Sequence, residues 1–254
     1  MNLFNIMGLV STLALALPII ILLTSKLAWY RSFPALFFYY LVLLSYNLIF
    51  LGYIDAGKNF QHYHGVINNL LDTPLILLFL LYFSKTVYFR KKLLIATLLF
   101  IAFEIVILGV YGFNARATTI ILAPGLLFVL AISLLFFIHQ VKIAVVYHKA
   151  AGKAIMVAAL LFAYVGYCFV YSVFYLIKPD YKNDAHLVFF LITIFSSIAM
   201  SAGIFVERLR VRQLVELKTT REELKSIYQE EREAKKMTTS REAVILNFDR
   251  EQWS

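Results

Sequence analysis

The sequence predicts an all-α polytopic membrane protein: a helix bundle of seven transmembrane helices followed by a cytoplasmic helical tail. Three observations lead there. Of the 254 residues, 61% are hydrophobic and 15% are charged, with a mean hydropathy of +0.78; soluble domains hold about 45–50% and about 25%. The apolar residues gather into seven runs, each near the roughly 20 residues that a helix needs to cross the hydrocarbon core. After about residue 206 the composition turns abruptly charged and helix-favouring. A soluble globular domain, a disordered chain and a disulfide-stapled module are thereby excluded. The one cysteine, Cys168, allows neither an internal disulfide nor a Cys-based zinc site.

The runs cover roughly 3–24, 34–54, 65–84, 93–112, 118–138, 154–177 and 186–206. The first begins in MNLFNIMGLV, without a basic leading segment, and no small-residue cleavage site follows it. It is expected to be a retained span rather than a signal peptide. Period-2 alternation is absent, so helices are the spanning element. Trp29 and Tyr30 follow the first span, Tyr39 and Tyr40 begin the second, and Tyr82 and Tyr88 flank the end of the third, as interfacial anchors do. Pro18, Pro74 and Pro124 lie inside spans, where transmembrane helices tolerate them either as hinges or as simple kinks.

The formal charge of +9 divides unevenly along the chain. Residues 1–206 hold 13 Lys and Arg against 5 Asp and Glu, while 207–254 hold 11 against 10. The surplus therefore sits in short loops, and no cationic face or arm suited to nucleic acid is present. The first, third and fifth loops carry 9 Lys and Arg and the other three carry 4. That asymmetry places the N-terminus outside and the C-terminus in the cytoplasm of a plasma (inner) membrane. Arg208, Arg210 and Arg212, directly after the last span, agree.

The chain accordingly divides into a transmembrane domain, 1–206, and a tail, 207–254. From Glu207 to Lys236 there is neither Gly nor Pro, so the seventh helix is expected to continue into the cytoplasm. Some 30 residues of helix would extend roughly 45 Å. Leu214, Leu217, Leu224 and Tyr228 have a coiled-coil-like spacing, but Arg221 and Glu231 interrupt the seam. The tail is either a short coiled coil or a solvated helix. Thr239 or Ser240 is placed to cap a further helix, whose Val244, Ile245, Leu246, Phe248 and Trp253 need cover from the bundle, the bilayer or another protein.

Ionisable groups inside a membrane are costly and mark candidate sites. Two carboxylates qualify, Asp72 and Glu104. Asp72 shares a helical face with Asn68 and lies beside Asn69 in the outer half of span three; Glu104 lies near the middle of span four. Span two adds Asn47. Span six offers a stripe, Tyr164, Tyr167, Tyr171 and Tyr175, which serves either packing or a ligand pocket. Ser196, Ser197 and Ser201 in span seven permit close helix approach. Asn47, Asn68, Asp72, Tyr167 and Tyr171 are expected to converge on an outward-facing polar cavity, with Glu104 a further candidate for ligand binding. Asp72 reads alternatively as a protonated, hydrogen-bonded packing residue.

His62, His64 and His186 lie towards the same side, but their spacing completes no tetrahedral set, and neither a metal site nor a catalytic set is assigned. A Gly-rich phosphate loop, His-Glu-x-x-His and Gly-x-Ser-x-Gly are all absent from the sequence. No lysine lies between His186 and Val206, which excludes a retinal Schiff base in the last span.

With seven spans, an outside N-terminus and a helix continuing from span seven, the chain resembles the seven-helix sensor modules of bacterial membrane receptors, over residues 1 to about 235. The resemblance implies a receptor-like signal relay, with an outward pocket as input and the tail as output. A kinase His-box or nucleotide-binding Gly motif does not occur in the tail, so the chain is expected to be either a stand-alone sensor acting through a homo-oligomer or a cytoplasmic protein partner, or a module cut from something longer. Two other classes stay open: a small-solute or ion transporter, and an integral membrane enzyme acting on lipid.

Overall fold

The computed structural model describes residues 3–84, 86–147, 150–176 and 182–251. Among these residues there is no strand, and seven helices are long and apolar enough to cross a membrane. They are α1 (Leu3–Thr24), α2 (Phe33–Phe50), α3 (Lys58–Leu80), α4 (Val87–Tyr111), α5 (Ala115–Tyr147), α6 (Ala151–Leu176) and α7 (Lys182–Glu251). A single 3₁₀ turn, Leu81–Phe83, follows α3. The protein is a multi-pass, all-helical membrane protein. Its chain forms two compact units, Met1–Arg208 and Leu209–Ser254.

Local chemistry sets the helix ends, and several differ from the apolar boundaries. The second span stops at Phe50 rather than 54, because the chain turns at Gly52, whose φ of 76° suits glycine. α3 starts at Lys58, so His62 and His64 stand on its first turns and not in a loop. The stretch KNFQHYH holds no breaker, and a helix continues through polar residues once an apolar core anchors it. For the same reason α5 runs on to Tyr147, taking in half of the expected fifth loop. Thr86 caps α4 by accepting from the Phe89 amide at 3.3 Å, and Asn114 caps α5 by accepting from the Ala117 amide at 3.0 Å.

In the first unit α3 is the most buried span, 56% of its apolar window, and α4 the least, 22%. α3 packs against α2, α4 and α5, which makes it the central post and α4 a peripheral one. α1 lies on α2, and α5 on α6. Phe4 of α1 meets Phe190 of α7 edge to face at 5.3 Å. α6 and α7 cross backbone to backbone. A Cβ on Gly152 would lie 2.7 Å from the Glu207 nitrogen, and one on Gly203 would lie 2.9 Å from the Met156 nitrogen. Membrane helices associate through such small-residue contacts because lipid offers no hydrophobic drive between them. The outward faces are apolar, as at Leu13 and Leu99, which are 62% and 67% exposed.

In the second unit the chain is helical from Leu209 to Glu251. The helix passes through Thr239 and Ser240 without a break, so neither starts a new one. Threonine and serine lower helix propensity by only a few tenths of a kcal/mol each, about what flanking Arg, Glu and Lys recover. Leu214, Leu217, Leu224 and Tyr228 are exposed. The apolar side chains of residues 244–253, and that of Tyr175, lie outside the described ones.

Candidate ligand-binding site

Five helices of the first unit line an open cavity of about 240 Å³. α2 contributes Tyr39, Leu43, Tyr46, Asn47 and Phe50, one face at helical spacing. α3 contributes Asn68, Asn69 and Asp72; α5 adds Leu122 and Leu126. α6 supplies Tyr167, Val170 and Tyr171, and α7 supplies His186, Phe189 and Phe190. These are mostly the C-terminal halves of α2 and α6, the middle of α3 and the N-terminal parts of α5 and α7. Antiparallel neighbours bring those segments to one end of the bundle.

The five residues expected to converge, Asn47, Asn68, Asp72, Tyr167 and Tyr171, all line this cavity. Glu104 does not. It is 5% exposed on α4, and its Oε1 has no hydrogen-bond partner. α4 begins at Val87, earlier than the apolar run, so Glu104 lies seven residues from the end of the helix at Tyr111 rather than at mid-span, and the sequence could not show which way α4 faces.

Asp72 is the acidic centre of the wall. Its Oδ2 accepts from the Tyr164 hydroxyl of α6 at 2.9 Å. Tyr164 is completely buried beneath the cavity, so the first member of the tyrosine stripe supports the carboxylate while the next two form the wall. Tyr167 stacks on Phe189 at 5.5 Å, and the Tyr171 hydroxyl donates to the Thr119 carbonyl at 3.2 Å. Asn47 is held from behind: its Nδ2 donates to Thr12 Oγ1 at 3.1 Å, and that hydroxyl donates to the Gly8 carbonyl at 2.8 Å.

The histidines are dispersed. His64 stacks on Tyr46 and lies 3.1 Å from Ser45 Oγ. His186 packs against the Phe50 and Phe4 rings, at 5.5 and 6.3 Å. His62 contacts the Tyr63 ring. Among the described residues no three His, Cys, Asp or Glu side chains gather closely enough to hold a metal.

A second polar cluster, at the opposite end of the same unit, was not singled out from the sequence. The Tyr82 hydroxyl donates to Glu207 Oε1 at 2.6 Å, and Glu207 is 1% exposed. The Lys153 ammonium lies 4.2 Å from the centre of the Tyr82 ring. These residues read as an interfacial tyrosine, a loop lysine and the first tail residue. The available signal was Gly152 and Gly203, whose missing side chains let α6 and α7 close over Glu207.

Fold and cavity together define a seven-helix membrane protein with a polar and aromatic chamber near one end of the bundle. No protein-family model, curated protein or solved structure matches the chain.

Proposed function

We propose that the protein is a sensor or receptor of the signal-relay type, with the chamber as its ligand input and α7 as its output. The carrying observation is that α7 supplies His186, Phe189 and Phe190 to the chamber wall and continues as one helix to Glu251. A ligand that prefers one position of that wall shifts the population of α7 positions by its differential affinity. The Lys and Arg asymmetry of the loops supports a chamber that faces outside and a C-terminus in the cytoplasm. The exposed Leu214, Leu217, Leu224 and Tyr228 offer a contact face for a second copy or a cytoplasmic protein.

The test is a spin label at Leu217→Cys in the full chain, with Cys168 replaced, reconstituted in lipid discs. Occupation of the chamber should change the label's mobility or its distance to a second copy. An unchanged spectrum with the chamber occupied would remove the relay. Small-solute or ion transport is the second reading. Glu104, a buried carboxylate at membrane depth with an unpartnered oxygen, favours it, because such groups line ion paths.

A further inference from the structure

We infer that the chamber takes a small organic cation, an ammonium group carried on an apolar body. The inference rests on the reading of the chamber as ligand input and names the chemistry of that ligand. Two independent features carry it.

The first is charge. Among the described wall residues Asp72 is the one carboxylate, His186, packed against the Phe4 and Phe50 rings, is the one ionisable base, and neither Lys nor Arg is present. A carboxylate at membrane depth requires a counter-charge or a proton. The Tyr164 hydroxyl gives Asp72 a hydrogen bond but no positive charge. Glu104 adds a second buried acidic group on α4. An ammonium ion entering the chamber supplies the missing charge and can donate to Asp72, with Asn68 and Asn69 beside it as further acceptors.

The second feature is the wall itself. Tyr39, Tyr46, Phe50, Tyr167, Tyr171 and Phe189 line the space, with Tyr46 stacked on Phe50 and His64, and Tyr167 on Phe189. Ring faces carry negative potential and attract cations, most strongly where water is excluded. An anionic ligand is repelled by Asp72 and gains nothing from the negative potential of the aromatic rings around it. A purely neutral polar ligand can bond Asn68 and Asn69 as well, but leaves the charge of Asp72 uncompensated. Size narrows the class further. A volume of about 240 Å³ lies just below the roughly 300–1,000 Å³ of pockets for drug-sized ligands, which suits a small body on the order of ten non-hydrogen atoms.

The experiment uses three probes of matched size: 2-phenylethylamine, 2-phenylethanol and phenylacetate. Each is titrated against the full chain in detergent, and unfolding is followed by reaction of a fluorogenic maleimide with the half-buried Cys168. The amine should stabilise the protein saturably and bind at least tenfold more tightly than the alcohol, with phenylacetate weakest. Asp72→Asn should bring amine and alcohol to equal affinity, and its own unfolding curve reports whether it folds. Should that variant fail to fold, the ranking on the unaltered chain still decides. Equal or tighter binding of the alcohol or the acid, or no binding of any probe, overturns the inference. The Leu217→Cys label separates the two ideas. Amine binding without a label response keeps the ligand class and removes the relay; a response to the alcohol at equal affinity does the reverse.

Discussion

Asn47 and Thr12 illustrate how single polar groups fix neighbours in a bundle whose helices are otherwise interchangeable in their grease. Both are buried, and the amide-to-hydroxyl bond of 3.1 Å ties α2 to α1. Interhelical hydrogen bonds of this kind contribute about 0.6 kcal/mol on average and up to about 1.7 kcal/mol. Asn47→Ala should therefore destabilise the protein by about 1 kcal/mol, and Thr12→Val by a similar amount. The double variant should cost clearly less than the two singles together, which a double-mutant cycle on thermal unfolding would register. Additive costs would show that the two side chains do not interact. Asp72 was legible in the sequence because a carboxylate in an apolar run has few tolerable surroundings. Its partner was less so: the tyrosine spacing showed one helix face, but not that Tyr164 would lie level with Asp72 while Tyr167 and Tyr171 faced the chamber.

Glycines separate helices that touch from helices that do not. A Cβ at Gly152 or Gly203 would press on backbone atoms, which cannot yield as a side-chain tip can. One at Gly109, on the exposed face of α4, meets nothing within 4 Å. Gly152→Ala and Gly203→Ala should each cost about 1–3 kcal/mol by overpacking. Gly109→Ala should be neutral or stabilise by up to about 1 kcal/mol, since alanine is the better helix former. Thermal midpoints of the three variants should fall in that order, and a Gly152→Ala midpoint at or above that of the unaltered chain would contradict the close crossing. Helix number was readable because the apolar runs match the membrane thickness. Helix ends were not, since α3 and α5 extend through polar segments that carry no breaker.

Seven hydrophobic runs made the all-helical membrane bundle legible in the sequence; the expected convergence of five residues rested on their depth along the chain's path, and a sequence alone does not tell which helix faces meet. The facing of α4 was invisible, because a lone Glu104 gives no periodicity to orient it. So was the Tyr82–Glu207 contact, whose partners are 125 positions apart. Orientation rests on loop charge and has its own test. With Cys168 replaced, Asp55→Cys should react with an impermeant thiol reagent from outside intact cells and Lys91→Cys only after permeabilisation. The opposite labelling would invert the whole arrangement, and the chamber would open inward.

The Gly152–Gly203 crossing also limits how α7 can move. Because backbone meets backbone there, sliding by one residue, about 1.5 Å, would collide with Met156 and pull Glu207 away from Tyr82. Tilting meets neither obstacle. The crossing acts as a fulcrum: Gly203 and Glu207 both lie against Gly152, while His186 stands about 25 Å from Gly203 along the helix. A shift of about 1 Å at the chamber then reaches Glu207 as only a small fraction of that, within the tolerance of its hydrogen bond to Tyr82. This bundle is geared as a lever and not as a piston.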